Sequence, residues 1–97
     1  MKLEFSEAAV EDLIRLRKFI AEHNPEAARR VSRRLISAIQ KLAKTPQIGW
    51  VVPELPGEIR DFVFGHHVVR YAVVCPSEQS EESTLCILKI WHGKENR

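Results

Sequence analysis

Asn24-Pro25-Glu26 breaks what would otherwise be one long helical pattern, and this constrains the chain more than any other feature of its sequence. Asparagine is a good helix N-cap, and proline fits the first helical position, where its missing N–H costs nothing. Before the break, Val10, Leu13, Ile14, Arg17 and Ile20 recur at helical spacing, with the stem of Arg17 along the apolar stripe. After it, Ala28, Val31, Leu35, Ala38, Ile39 and Leu42 fall on one face, and Thr45-Pro46 ends the pattern. Two long helices joined by so few residues are antiparallel neighbours. The first helix has a clear entry. Lys2 to Phe5 alternates polar and apolar, as a short strand does, and Ser6 follows as an N-cap. Phe5 and Val10 occupy the two positions of a hydrophobic staple, and Glu7, Glu11 and Asp12 favour the positive end of the helix dipole.

The second half of the chain changes period. Residues 46–58 hold three prolines and two glycines and read as loop. Ile59 to Phe64 reads as a strand, Gly65-His66 as a type II′ turn and His67 to Cys75 as a second strand. A polar loop, PSEQSEES, precedes a third strand from Thr84 to His92. Strict alternation there puts Leu85, Ile87 and Trp91 on one side and Cys86, Leu88 and Ile90 on the other. The expected fold is α+β in one domain over residues 1–97. An N-terminal strand and a helical hairpin pack on a small antiparallel sheet that ends in a three-stranded meander.

The 97 residues, 44% hydrophobic and 29% charged, are those of an ordinary globular chain. No apolar run is long enough to span a bilayer, and the N-terminus lacks the order of a signal peptide, so a cytoplasmic location is expected. Cys75 and Cys86 suit a reducing compartment and have no metal-ligand spacing; they either face each other across the last hairpin or stay as buried free thiols, the preferred reading. The net charge is only +2, but basic residues crowd Arg29 to Arg34 and Lys89 to Arg97. Such a face meets nucleic acid or an acidic segment, or is simply the solvated side of a helix, the plainer reading for Arg29 to Arg34.

Single residues divide in the same way. His66, His67 and His92 are the only grouping that suggests a metal, yet adjacent strand residues point to opposite faces, so neither metal nor cofactor is expected. Tyr71 reads as a core tyrosine with a bonded hydroxyl, and Trp91 as packing. Trp50, in a loop, either caps the core or meets a partner.

The order of elements resembles the RelE/ParE toxin superfamily over essentially the whole chain, and three stretches carry the likeness. They are AEHNPEAARRV leading to LAKTPQIG, the pattern Arg60, Gly65, Arg70-Tyr71, and the hydrophobic last strand ending in Trp-His-Gly-Lys. The resemblance implies a toxin of a type II toxin–antitoxin pair, neutralised by the C-terminal segment of a cognate antitoxin. Such a segment adds a strand at an open sheet edge or lays a helix into a groove. ParE-type relatives poison DNA gyrase and serve plasmid stabilisation. RelE-type relatives cut messenger RNA on the ribosome.

RNA cleavage through a 2′-hydroxyl needs a base, an acid and cations at one phosphate. RelE-like enzymes supply these from lysines and arginines near the sheet and a tyrosine or histidine near the C-terminus. Here TPQIGWVVPELPGE contains no lysine or arginine, and the tail after His92 contains no tyrosine. The ParE branch is therefore favoured, with no catalytic residues and a target-binding set of Arg60, Arg70, Lys89, Lys94 and Arg97. No membrane partner or sequence-specific nucleic-acid contact is expected. The alternative is a ribonuclease that uses Arg60, Arg70, His92 and Lys94. A third reading is a non-toxic relative kept as a binding partner.

Overall fold

The computed structural model describes residues 2–74 and 83–93, the side chains of His23 and Val74 excepted. Strand β1 (Lys2–Phe5) leads into helix α1 (Glu7–His23), then α2 (Pro25–Leu42), β2 (Trp50–Val51), β3 (Ile59–Phe64), β4 (His67–Val74) and β5 (Thr84–His92). The five strands form one sheet in the order β1-β5-β4-β3-β2. The β3-β4-β5 meander is antiparallel, as its short connections require. The sheet as a whole is mixed, however, because β1 pairs with β5 in parallel, Phe5 beside Ile87. The long connection from β1 to β5, through both helices and β2 to β4, makes that parallel pair possible. The stretch read as loop also contains β2, which lies against Arg60 and Asp61 of β3.

Asn24 serves both helices. Its N–H donates to Ile20 O at 2.9 Å, and its side-chain oxygen accepts from the N–H groups of Glu26 and Ala27 at 3.1 Å. One residue thus closes α1 and opens α2, which fixes the tight hairpin. The apolar face of α2 is buried as its spacing indicates, through Ala28, Leu35, Ala38, Ile39 and Leu42. With Ala9 and Leu16 of α1, it packs on Val69, Tyr71, Leu85, Ile87 and Ile90 of the sheet.

Helix α1 is turned by roughly one residue from the orientation its apolar residues suggest. Val10 and Ile14 are 44% and 52% exposed, Arg17 is exposed, and the buried positions are Ala9, Asp12 and Leu16. The cause lies in β5. The pairing of β4 with β5 slips between Tyr71, opposite Ile87, and Arg70, opposite Lys89, which leaves Leu88 as an extra residue. Three side chains of the α1 entry and first turns meet the backbone at this bulge. The Ser6 hydroxyl accepts from Ala9 N–H at 3.0 Å as the N-cap and donates to Leu88 O at 2.8 Å. The Asp12 carboxylate accepts from Ile90 N–H at 2.9 Å, and Arg15 donates to both Asp12 and Ile90 O. An inward Asp12 sets the helix rotation and leaves Val10 outside.

The bulge also changes which β5 residues share a face. Leu85, Ile87 and Ile90 are all buried, while Trp91 lies toward the uncovered face, so strict alternation fails after Ile87. At the other end of β4, Gly65 has φ +59°, and no described residue other than glycine has positive φ; with Phe64 opposite His67, this is a type II′ hairpin turn.

Candidate partner-binding surfaces

The loop between α2 and β3 is held from inside the sheet. Tyr71, fully buried on β4, donates from its hydroxyl to Pro46 O at 2.7 Å and accepts from Gly49 N–H at 2.9 Å. Burial is the main cause that raises its pKa above the ordinary tyrosine value, and the Gly49 bond opposes it. Gly49 is needed for space, since a Cβ there would stand 2.7 Å from the Tyr71 hydroxyl oxygen. Arg60, opposite Tyr71 on the helix-covered face, donates to Gly49 O at 2.8 Å and to Glu58 at 2.7 Å. Glu58 is well exposed, so that ion pair contributes little beside the backbone bonds.

This anchored loop and the second half of α2 border an apolar groove of about 320 Å³. Ala38, Leu42, Phe62 and Phe64 line it together with Ile48, which is 55% exposed, and Lys41 and Lys44 lie at its polar margin. Strand β2 covers β3 only as far as Asp61, so among the described residues Phe62 to Phe64 have no strand on their outer side. Here the sheet presents an open edge beside an apolar groove.

The face of the sheet away from the helices is a second surface. Arg70 makes a bidentate pair with Asp61 at 2.8 and 3.0 Å, and its guanidinium lies 5.1 Å from the centre of the Trp91 ring. The bond to Asp61 is the leading cause that raises the Arg70 pKa, against partial desolvation. Lys89 is exposed opposite Arg70, and Trp50, opposite Asp61, is 71% exposed. Cys86 also belongs to this face, opposite Ala72; burial first and Glu4 second push its thiol pKa up.

The residues singled out from the sequence are therefore dispersed. Arg60 and Arg70 sit on opposite faces, each held by an acid. Lys89 joins Arg70. Lys94, Arg97 and Cys75 lie outside the described residues. His92 is at the far end of β5, opposite His67, stacked on His66 at 5.6 Å and edge-on to His67 at 5.2 Å. The three histidines come together across the turn despite the alternation of β4. Among the described residues, no group of three or more His, Cys, Asp or Glu has the spacing to hold a metal ion. Sequence reasoning missed the groove; its signal was the pair Phe62 and Phe64, two apart on a strand, with Ile48 in the preceding loop.

The family described as the ParE toxin of a type II toxin-antitoxin system, parDE, matches residues 3–97. A solved structure described as the chromosomal ParDE TA system from P. aeruginosa contains a similar chain, with a TM-score of 0.74 over 95% of each chain. At 20% identity, that likeness speaks for the fold. No curated protein matches the chain. The match over nearly the whole length, on a helical hairpin packed against a five-stranded sheet, shows that this chain belongs to the ParE toxin family of type II toxin–antitoxin systems.

Proposed function

We propose that this protein acts in the cytoplasm by binding DNA gyrase, without catalysis of its own, and is neutralised by an antitoxin segment that fills the groove along β3. The observation that carries the binding reading is the separation of Arg60, Arg70 and His92. A ribonuclease site needs its acid, base and cations around one phosphate. Here Arg60 and His92 lie opposite Tyr71 and His67, four residues apart along β4. That is roughly 13 Å of strand, with Arg70 on the other face. The target-facing set is Arg70 and Lys89 on the uncovered sheet face, with Arg60, Lys94 and Arg97 as further contacts. The groove supports antitoxin capture, because it pairs apolar lining with free backbone groups. An extended segment can take both, and acidic flanks would suit Lys41 and Lys44.

Purified protein is expected to inhibit gyrase supercoiling of a relaxed plasmid, with relief when the cognate antitoxin is added. Unchanged supercoiling at large protein excess, together with cleavage of ribosome-bound message, would instead establish the ribonuclease alternative. In that case His92→Ala and Arg70→Ala would abolish toxicity while folding is kept. Normal growth on expression without antitoxin would point to the non-toxic relative.

A further inference from the structure

We propose that the exposed face of α2 binds the phosphate backbone of a nucleic acid, without regard to sequence, through Arg29, Arg30, Arg33 and Arg34. This rests on the charge pattern of α2 and is independent of the gyrase reading. All four arginines are exposed, and none makes an ion pair among the described residues, whereas Arg15, Arg60 and Arg70 each do. Two like-charged pairs, Arg29 with Arg33 and Arg30 with Arg34, stand at i,i+4, a spacing that destabilises a helix. Glu26, four residues before Arg30, offsets part of this repulsion, and a polyanion would relieve the rest.

The geometry suits a strand of phosphates. At 100° per residue the four side chains fan over about 140° of the helix surface, and residues four apart are separated by about 6 Å along the axis, close to the spacing of successive phosphates. The opposite face of α2 is fixed in the core by Leu35, Ile39 and Leu42, so the arginines are presented on a rigid support. Guanidinium forks match phosphate oxygens in pairs.

The same face argues against an acidic protein segment as its occupant. Protein partners gain most of their affinity from apolar anchors seated in pockets. Apart from Pro25 at the helix start, the exposed residues of α2 around the arginines are Glu26, Ser37, Gln40 and Lys41, and none of these is apolar. Glu26 is the one acid, and it lies in the first turn, where the helix dipole favours it. A polyanion needs no apolar anchor, because release of its counterions drives binding. The groove lies along the other half of α2, at Ala38 to Thr45, so a groove ligand leaves the arginines accessible.

The test is fluorescence anisotropy of a short labelled DNA duplex, and of a single-stranded RNA, titrated with the purified chain at two salt concentrations. Four neutralised phosphates predict an affinity that falls roughly a hundredfold between about 50 and 200 mM salt. Replacing all four arginines by glutamine, a good helix former, should remove at least a tenfold share of the low-salt affinity and flatten the salt dependence, with circular dichroism unchanged. Replacement by lysine should keep most of both. Binding of either nucleic acid with this behaviour supports the proposal and identifies which backbone is taken. Absence of binding at low salt, equal binding by the glutamine variant, or a polyglutamate chain that displaces the duplex at equal charge would overturn it.

Discussion

Asp12 shows how one side chain can set the rotation of a helix. Its carboxylate is almost fully buried, which is costly for a charge unless its hydrogen bonds are satisfied. Ile90 N–H and the Arg15 guanidinium satisfy it. Asp12→Ala would leave the Ile90 N–H buried without that acceptor, at a cost of about 1–3 kcal/mol. For a domain of this size, that is a Tm loss of roughly 5–20 °C in a thermal melt. Asp12→Asn keeps an acceptor for Ile90 and should lose less; equal losses for the two would show that the Ile90 bond is not what holds α1. Tyr71 makes a second prediction. It is the only tyrosine, so the growth of tyrosinate absorbance reports it alone. Its folded pKa is raised, so the stability linked to its hydroxyl is complete below the ordinary tyrosine value of about 10 and is lost as pH rises through the folded value. The folded protein should titrate above that value and the urea-unfolded chain at it. Tyr71→Phe should remove this alkaline loss of stability and also lower stability at neutral pH, because the bonds to Pro46 and Gly49 go with the hydroxyl. Tyr71 was legible as a core tyrosine with a bonded hydroxyl, though its partners Pro46 and Gly49 were not; the role of Asp12 was not legible. An acid early in a helix reads as a dipole partner, and only the slip at Leu88 creates the N–H that draws Asp12 inward.

At the scale of elements, the sequence was informative wherever local chemistry decides. Ser6, Asn24, Pro25 and Gly65 place caps and a turn, and the structure has them where those residues stand. The face of α2 was legible because its apolar residues agree with one another. The face of α1 was not, because Val10 and Ile14 outvoted Ala9 and Asp12 in any count of apolar positions. The parallel β1–β5 pair joins residues about eighty positions apart, and the β5 bulge is a slip in its pairing with β4, which no local pattern carries. The single-residue hairpin yields an element-scale prediction. Asn24→Ala strips the cap of α2, while the backbone bond that closes α1 remains possible, so destabilisation of about 1 kcal/mol is expected from a denaturant titration. Asn24→Gly should lose only a few tenths, since without a side chain it leaves the freed N–H groups of Glu26 and Ala27 open to water. If glycine proves as damaging as alanine, water does not replace the asparagine oxygen at those N–H groups.

At the scale of the molecule, a two-layer fold of this size has one face of its sheet to bury and one to offer, and it offers the second with an edge as well. The helical hairpin covers the face that carries Val69, Tyr71, Leu85 and Ile87, so the sheet offers partners the face around Arg70 and Trp91 and the groove beside β3. These surfaces are distinct, so loss of one need not cost the other. Ile48 separates them. It is 55% exposed and lines the groove, so a charge there disturbs little of the core. Ile48→Asp should leave the unfolding free energy within about 0.5 kcal/mol of the parent, as for other surface substitutions. It should weaken binding of the cognate antitoxin at least tenfold, because the aspartate enters an apolar groove that excludes water on binding. Inhibition of supercoiling by the variant should persist but be poorly relieved by antitoxin. Titration calorimetry against the antitoxin, beside a supercoiling assay, reads both. Undiminished antitoxin affinity would place the neutralising segment elsewhere, most simply on the uncovered sheet face, where Trp50→Ala would then be the variant that escapes.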